Sequence, residues 1–371
     1  MRGQAAWGLG RGALRVLVVG GSLGGLNAAL WLRDAGCDVE VLERSRAPLQ
    51  GRGAGIVLHP ATVRYLLERA RVDVGALSAP AHRLRYLAPD GAVAAERPCR
   101  FRFTSYTALY RGFLNHLEDR RYHLGRDAVE LEQGADGVAV RFADGSGAEG
   151  DLLVGADGVN SAVRRLLLPE VAGRYAGYVA WRGTVAEAQL GGPAFAGLSA
   201  AITYHLRGDG HLLVYPIPGE EGDGRGERGL VNWLWYRNVP DGPELEDLLT
   251  GKEGVRFGSS LPPGLVRDEH LARLRGDAAA LPPALAELVA ATGGPFLQVV
   301  SDLAVPRMAI GRAVLLGDAA FALRPHVAAR SAKAAEDGRT LAAAVAGQDG
   351  DLGVALGRWE AAQLELGRRA L

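Results

Sequence analysis

Val16 to Val19 form an uninterrupted apolar run that stops at Gly20. A run apolar at every position fits a strand buried on both faces, as in a parallel sheet. Leu26 to Leu32 then has helical composition, Gly36 ends it, and Val39 to Leu42 predicts a second strand closing on Glu43. The same order returns far down the chain. Ala313 to Leu316 is apolar, stops at Gly317-Asp318, passes a Pro-His loop and enters an alanine-rich stretch of helical character. A third short apolar strand precedes Gly155-Ala156-Asp157-Gly158, with Ser161 and Arg164 expected on the helix after it.

Between residues 175 and 303 the pattern changes. "GYVAWRGTV", "ITYHL", "HLLVYPIPG" and "GLVNWLWYRNV" are aromatic, β-branched and bounded by Gly, Pro and Asp, which predicts antiparallel strands. Two-residue alternation places His211, Leu213 and Tyr215 on one face of their strand. It groups Trp233, Trp235 and Arg237 opposite Asn232 and Tyr236. Residues 265–292 predict helices leading back, and an amphipathic stretch follows Gly350.

Composition narrows the class. The chain has 371 residues, 48% of them hydrophobic, enough for two ordinary domains with a substantial core. Its 42 basic and 42 acidic residues cancel, so nothing selects for nucleic acid or an anionic membrane. Lys252 and Lys333 are the only lysines, a bias in base composition and not a basic patch. Cys37 and Cys99 are too few for a disulfide framework or a cysteine-built metal site, so no metal is expected. No apolar run reaches the roughly 18 residues that span a bilayer. A cytoplasmic protein with a flexible leader over residues 1–14 is expected.

The turn after the first strand, Gly20-Gly21-Ser22-Leu23-Gly24-Gly25, carries the first chemistry. It departs from G-x-G-x-x-G only by Ser22, small enough to let a pyrophosphate approach the helix N-terminus. Glu43 lies 18 residues past Gly25, at the end of the next strand, where an acid binds a ribose hydroxyl. That acid disfavours a 2′-phosphate, leaving FAD or NAD.

The glycine turn, the Asp-Gly motif at Asp157 and the Gly-Asp motif at Gly317-Asp318, in this order, resemble the class A flavoprotein aromatic hydroxylases. "GRGAGIVLHPATVRYL", "TALYRGFLNHL", "YVAWRG" and "GDAAFALRPHVAARSAKAA" resemble the branch containing dihydroxypyridine 3-hydroxylase. The resemblance covers nearly the whole chain. It implies an α/β fold in which a Rossmann-like FAD-binding domain (15–75, 100–174 and 304–371) is interleaved with a mostly antiparallel substrate domain (76–99 and 175–303).

It implies FAD as cofactor, held by Gly20, Ser22, Leu23, Gly25, Glu43, Arg44, Arg111, Asp157, Gly317, Asp318, Ala328 and Ala329. Asp318 would bind the ribityl chain, and Asp157 both FAD and the nicotinamide. NADH or NADPH is the transient donor, needing no Rossmann domain of its own, and O2 is the co-substrate. The substrate is a small phenol- or hydroxypyridine-like ring, hydroxylated through a flavin C4a-hydroperoxide. His211, Trp181, Trp233 and Trp235 are candidate substrate contacts. His326, Tyr215 and Arg330 are candidate catalytic residues, with His326 the base. A homodimer is compatible with the chain. The family usually has glycine near Ala329-Arg330, where backbone approaches the ring. Arg330 therefore supplies a cation there or obstructs the site, and an FAD-binding protein with altered catalysis is the alternative.

Overall fold

The structure, a computed structural model, describes residues 13–49, 55–191, 196–219, 229–347 and 351–371. Two sheets organise the chain. In the first, β1 (Arg15–Val19) lies between β2 (Asp38–Glu43) and β10 (Leu152–Gly155), and β10 pairs with β18 (Ala313–Leu315). These pairs are parallel, as is that of β2 with the edge strand β6 (Tyr122–Leu124); β17 (Ala309–Ile310) closes the other edge antiparallel. Val16 to Val19, Leu152 to Val154 and Ala313 to Leu315 are all buried. This is the uninterrupted apolar pattern expected of strands covered on both sides.

Helices α1 (Leu23–Asp34), α2 (Pro60–Glu68), α3 (Tyr106–Leu114) and α4 (Ala162–Leu167) belong to this half, as do α8 (Arg330–Ala346) and α9 (Leu352–Ala370). Helix α8 packs against α1, α2 and α9. A small antiparallel sheet, β7 (Ala128–Gln133), β8 (Val138–Phe142) and β9 (Gly147–Gly150), borders it. A groove of about 520 Å³ on that sheet, lined by Arg15, Glu130, Glu132, Arg141 and Glu149, holds none of the expected site residues.

The second sheet is large and mostly antiparallel. Its order is β15 (Ser260–Leu261), β16 (Phe296–Ala304), β11 (Arg174–Ala186), β14 (Leu230–Asn238), β13 (Gly210–Ile217), β12 (Ala201–Arg207), β4 (Ala79–Leu87), β5 (Val93–Ser105) and β3 (Gly55–Val57). Only β12 and β4 pair parallel. β19 (Phe321–Ala322) pairs with the end of β16 and so joins the Gly-Asp loop to this sheet. The sheet takes in residues 55–57 and the last part of β5, residues 100–105, which the sequence pattern assigns to the cofactor half. The reason is the length of β5: its 13 residues run on to pair Ser105 with Gly55.

The two faces of this sheet differ. One packs Trp181, Trp233, Trp235, Leu212 and Val214 against α5 (Pro243–Leu248), α6 (Asp268–Ala278) and α7 (Pro283–Ala290). The other carries Ala180, Ile202, Tyr215, Leu234 and Tyr236.

Candidate functional site

The glycine turn leaves β1 and enters α1 at Ser22. A Cβ on Gly25 would lie 1.8 Å from the Gly20 carbonyl oxygen, so only glycine closes this loop. The Glu43 carboxylate braces it: Oε2 accepts from the Gly21 amide and Oε1 from the Ser45 amide, both at 2.8 Å. A carboxylate has about four lone-pair positions, so Glu43 keeps capacity for a further donor. Three tyrosines hold the loop from outside. Tyr106 Oη pairs with Ser22 Oγ at 2.8 Å, Tyr122 donates to the Gly21 carbonyl at 2.9 Å, and Tyr110 donates to Tyr122 at 3.2 Å. No sequence motif marks these three tyrosines; "TALYRGFL" points only to Arg111, which lies half-buried on α3. Arg44 is exposed at the end of β2.

Helix caps separate two helices from the rest of this half. α2, α3, α4 and α9 are capped by the side chains of His59, Ser105, Ser161 and Asp351. α1 and α8 have no side-chain cap and no acid in the first turn. Their leading N–H groups and the positive end of the helix dipole remain available to an anion. A diphosphate and a reduced flavin are both anions, so the donor set fits FAD.

Asp157 is placed differently from expectation. Its Oδ1 accepts from the Ser161 hydroxyl, and its Oδ2 from the amides of Ala162 at 2.6 Å and Val163 at 3.2 Å. Both oxygens thus close the start of α4. Burial pushes this carboxyl up, and the Ser161 hydroxyl and these amides pull it back. Asp318 is the contrasting acid. It lies in the 3-10 turn after β18, its side chain 30% exposed, with Arg330 Nη1 at 3.7 Å from Oδ2.

The chain then turns through Ala328, left-handed at φ +53°, and Ala329 takes the N-terminal flanking position of α8 without a capping side chain. Arg330 opens the helix and folds back, Nε donating to the Leu323 carbonyl at 2.5 Å. The loop is latched to the large sheet by Arg324, which grips both oxygens of Asp302 on β16 at 2.8 and 2.6 Å. Those bonds hold the Asp302 carboxyl below its usual range.

The sheet face under this loop carries a row of rings. Tyr86 stacks on Tyr204 with centroids 5.4 Å apart; Tyr204 and His211 are 6.2 Å apart, His211 and Tyr236 4.8 Å, Tyr236 and Tyr178 5.9 Å. Burial lowers the His211 pKa, and the charge of exposed His326 lowers it further. Burial pushes Tyr236 up to about 12, against the pull of Arg182 and Arg330. His326, Arg330, His211 and Tyr236 are thus brought together at the junction of the two halves.

Tyr215 lies deeper. It is 3% exposed, stacks on Phe103 at 4.1 Å and donates to the Gly55 carbonyl at 2.8 Å. Asn232 Oδ1 accepts from the Gly55 amide at 2.7 Å, and Arg182 Nη1 donates to Gln298 Oε1 at 2.6 Å. Tyr215 therefore anchors Gly55, the first residue of β3.

Trp181, Trp233 and Trp235 do not join this site. They are buried on the opposite face, packed on the helical layer, and Trp233 Nε1 donates to Thr292 Oγ1 at 2.9 Å. The alternation that put Trp233 and Trp235 opposite Asn232 and Tyr236 is present. Expected as substrate contacts, these three rings instead fill a core. Tyr86, Tyr178, Tyr204 and Tyr236 belong to the other face. Knowing that Tyr215 faced inward would have found Tyr236 and Asn232 through their shared face.

Comparison with known proteins places this geometry. The FAD-binding-domain family matches residues 13–204, and an FAD-binding-domain-like family matches residues 175–302. The chain is 41% identical to the 2,6-dihydroxypyridine 3-monooxygenase of Paenarthrobacter nicotinovorans over 96% of this chain and 89% of that protein. It is 31% identical to the 3-amino-4-hydroxybenzoate 2-monooxygenase of Streptomyces cremeus, over 96% of this chain and 86% of that one. The structure of 2,6-dihydroxypyridine-3-hydroxylase from Arthrobacter nicotinovorans superposes with a TM-score of 0.92 at 41% identity, covering 97% of this chain and 90% of that one. HpxO of Klebsiella pneumoniae with FAD and uric acid gives 0.78 at 26% identity, covering 96% and 87%. On the family match and the 41% identity over 96% of its length, the chain belongs to the FAD-binding-domain family, among the class A flavoprotein aromatic monooxygenases.

Proposed function

We propose that this FAD-dependent monooxygenase hydroxylates a small hydroxypyridine- or phenol-like ring, using O2 and NADH or NADPH. The observation that carries the substrate class is the row Tyr86–Tyr204–His211–Tyr236–Tyr178 beneath the loop bearing His326 and Arg330. A flat ring fits between such aromatic faces by offset or edge contacts. The relative 41% identical to this chain acts on a dihydroxypyridine, which supports the same class here.

FAD would be held by the Gly20–Gly25 turn, Glu43, Arg44, Arg111, Gly317, Asp318 and the backbone of Ala328 and Ala329. Bound there, it supplies electron transfer from the nicotinamide and activation of oxygen. The protein's own part is positional and protonic. The uncapped start of α8 stabilises negative charge on the reduced ring. His211, kept neutral by burial, accepts a proton or hydrogen bond from a ring hydroxyl at an imidazole nitrogen, and exposed His326 passes it to solvent. Tyr215 fixes the Gly55 peptide at the floor of the site. A cytoplasmic location and a homodimer accompany this reading, and light scattering checks the second.

The test is NADH oxidation coupled to product formation with 2,6-dihydroxypyridine, urate and 3-amino-4-hydroxybenzoate. Stimulation with hydroxylated product from the pyridine supports the reading; flavin reduction that no hydroxylated ring accelerates overturns it. One observation favours the second reading, of altered catalysis: the Arg330 guanidinium lies against Asp318, the carboxylate assigned to the ribityl chain.

A further inference from the structure

Lys333 and Asp337 form a buried ion pair one helical turn apart on α8, with side chains 3% and 0% exposed. Lys333 Nζ donates to Oδ1 at 2.7 Å and to Oδ2 at 2.9 Å. Asp337 Oδ2 also accepts from the amide of Gly317 at 2.9 Å. Lys333 Nζ lies over the Phe321 ring, 4.9 Å from its centroid. The pair thus sits directly behind the Gly317-Asp318 turn.

Two features make this more than packing. First, the turn is tightly specified. Gly317 is left-handed at φ +57°, and a Cβ there would lie 2.8 Å from Ala334 Cβ on α8. Its amide points into the protein and needs a buried acceptor, since an unpaired amide is costly. Asp337 is that acceptor, and the direction of the Gly317 peptide fixes where the next side chain, Asp318, projects.

Second, a chain of 40 arginines keeps one of its two lysines here. A compact ammonium fits between the carboxylate and the Phe321 ring, where a planar guanidinium with five donors would leave hydrogen bonds unmade. Burying a charged pair brings little net stability over an apolar pair of the same volume. Its value therefore lies in the acceptor it keeps charged and in place.

We propose that Lys333 and Asp337 are positioning residues of the flavin site: they hold the Gly317 amide and thereby aim Asp318 at the cofactor. This rests on the assignment of Asp318 to FAD, and the test separates the two. FAD is titrated into apoprotein by flavin fluorescence, beside thermal melting of the apoprotein and the visible spectrum of bound flavin. The reference variant is Asp318→Ala, which loses about tenfold or more in FAD affinity if Asp318 holds the cofactor. The decisive variant is the apolar pair Lys333→Met with Asp337→Leu. The expected result is apoprotein melting near the parent's, FAD affinity at least tenfold weaker, and an altered flavin spectrum.

A second arm uses Lys333→Met alone. Burial pushes the Asp337 carboxyl up and Lys333 pulls it down, so without its cation it holds its proton more tightly. The protonated carboxyl is a weaker acceptor for the Gly317 amide than the carboxylate. FAD affinity of this variant should therefore be weakest at pH 6 and rise about tenfold toward pH 8 as the carboxylate returns, while parent and Asp318→Ala stay flat. Parent-like FAD affinity in the apolar pair overturns the proposal, provided Asp318→Ala is impaired. So does a Lys333→Met defect that is the same at every pH. If the apolar pair does not fold, the pH arm decides. If Asp318→Ala binds FAD like the parent, the assignment of Asp318 fails, and the proposal with it.

Discussion

Arg330→Gly is the substitution that most directly probes how the flavin-side loop works. In the structure the Arg330 guanidinium stands 3.7 Å from Asp318 Oδ2, with the two side chains 34% and 30% exposed. An ion pair so open to solvent contributes about 0–1 kcal/mol. Its Nε also donates to the Leu323 carbonyl at 2.5 Å, a charged hydrogen bond contributing about 1.5 kcal/mol at the low end for such an exposed group. Glycine at the first position of α8 costs about 0.5–1 kcal/mol in backbone entropy. The apoprotein should therefore lose about 2–3.5 kcal/mol.

FAD binding should move the other way. Asp318 is freed from Arg330, and a ribityl hydroxyl no longer displaces it. Release of up to about 1 kcal/mol corresponds to roughly fivefold tighter binding. The flavin potential should fall as a cation is lost, but by less than about 30 mV, equivalent to about 1.4 kcal/mol, because Asp318 already neutralises much of that charge. Thermal melting of apoprotein, FAD titration and dye-linked reduction measure the three quantities. Weaker FAD binding in Arg330→Gly, or a potential above the parent's, refutes the reasoning.

Other predictions follow from the same geometry. Gly25→Ala forces a Cβ to 1.8 Å from the Gly20 carbonyl, so the apoprotein should purify without FAD and show no flavin absorbance on titration. Trp233→Leu should lower stability by about 3 kcal/mol, read by denaturant melting, while KM for the aromatic substrate stays at the parent value, because this ring is core; a raised KM with unchanged stability would return it to the substrate site. His211 has its pKa lowered by burial, so the unfolded chain binds the extra proton first. Its contribution is complete above the unfolded value of about 6.5 and is lost as pH falls through the depressed folded value. His211→Asn should therefore flatten the acid side of the stability–pH curve.

The cofactor half was legible because its signals are local. The Val16–Val19 run of β1 and the Ala313–Leu316 run are apolar at every position, which few contexts other than a doubly covered strand allow. The Gly20–Gly25 turn announces itself because the backbone conformation admits little else. The roles of acids were less legible. Asp157 and Asp318 stand in similar motifs, yet one caps α4 and the other is left half-open, a difference set by the Ser161 hydroxyl and the amides behind it. The substrate face was half-legible: alternation sorts residues into two faces but does not say which face the helices cover. Residues 265–292 supply that cover, and their apolar side chains claim the tryptophans. The tether between Asp337 and Gly317 joins residues whose proximity no pattern of period 2 or 3.6 encodes.

The parallel sheet has a consequence for how the protein is made. β1 lies beside β10, and β10 beside β18, so the neighbours of the first strand are supplied in instalments along the chain. A ribosome adding about 5–20 residues per second delivers residue 315 some fifteen seconds or more after residue 19. Until then the growing chain exposes the short edge of β10, buried on both faces in the finished fold, and the uncapped start of α8 does not yet exist. The cofactor cannot act as an early folding nucleus. It arrives as the last piece of a nearly finished sheet, and chains cut short before Asp318 should collect as aggregation-prone fragments that never turn yellow.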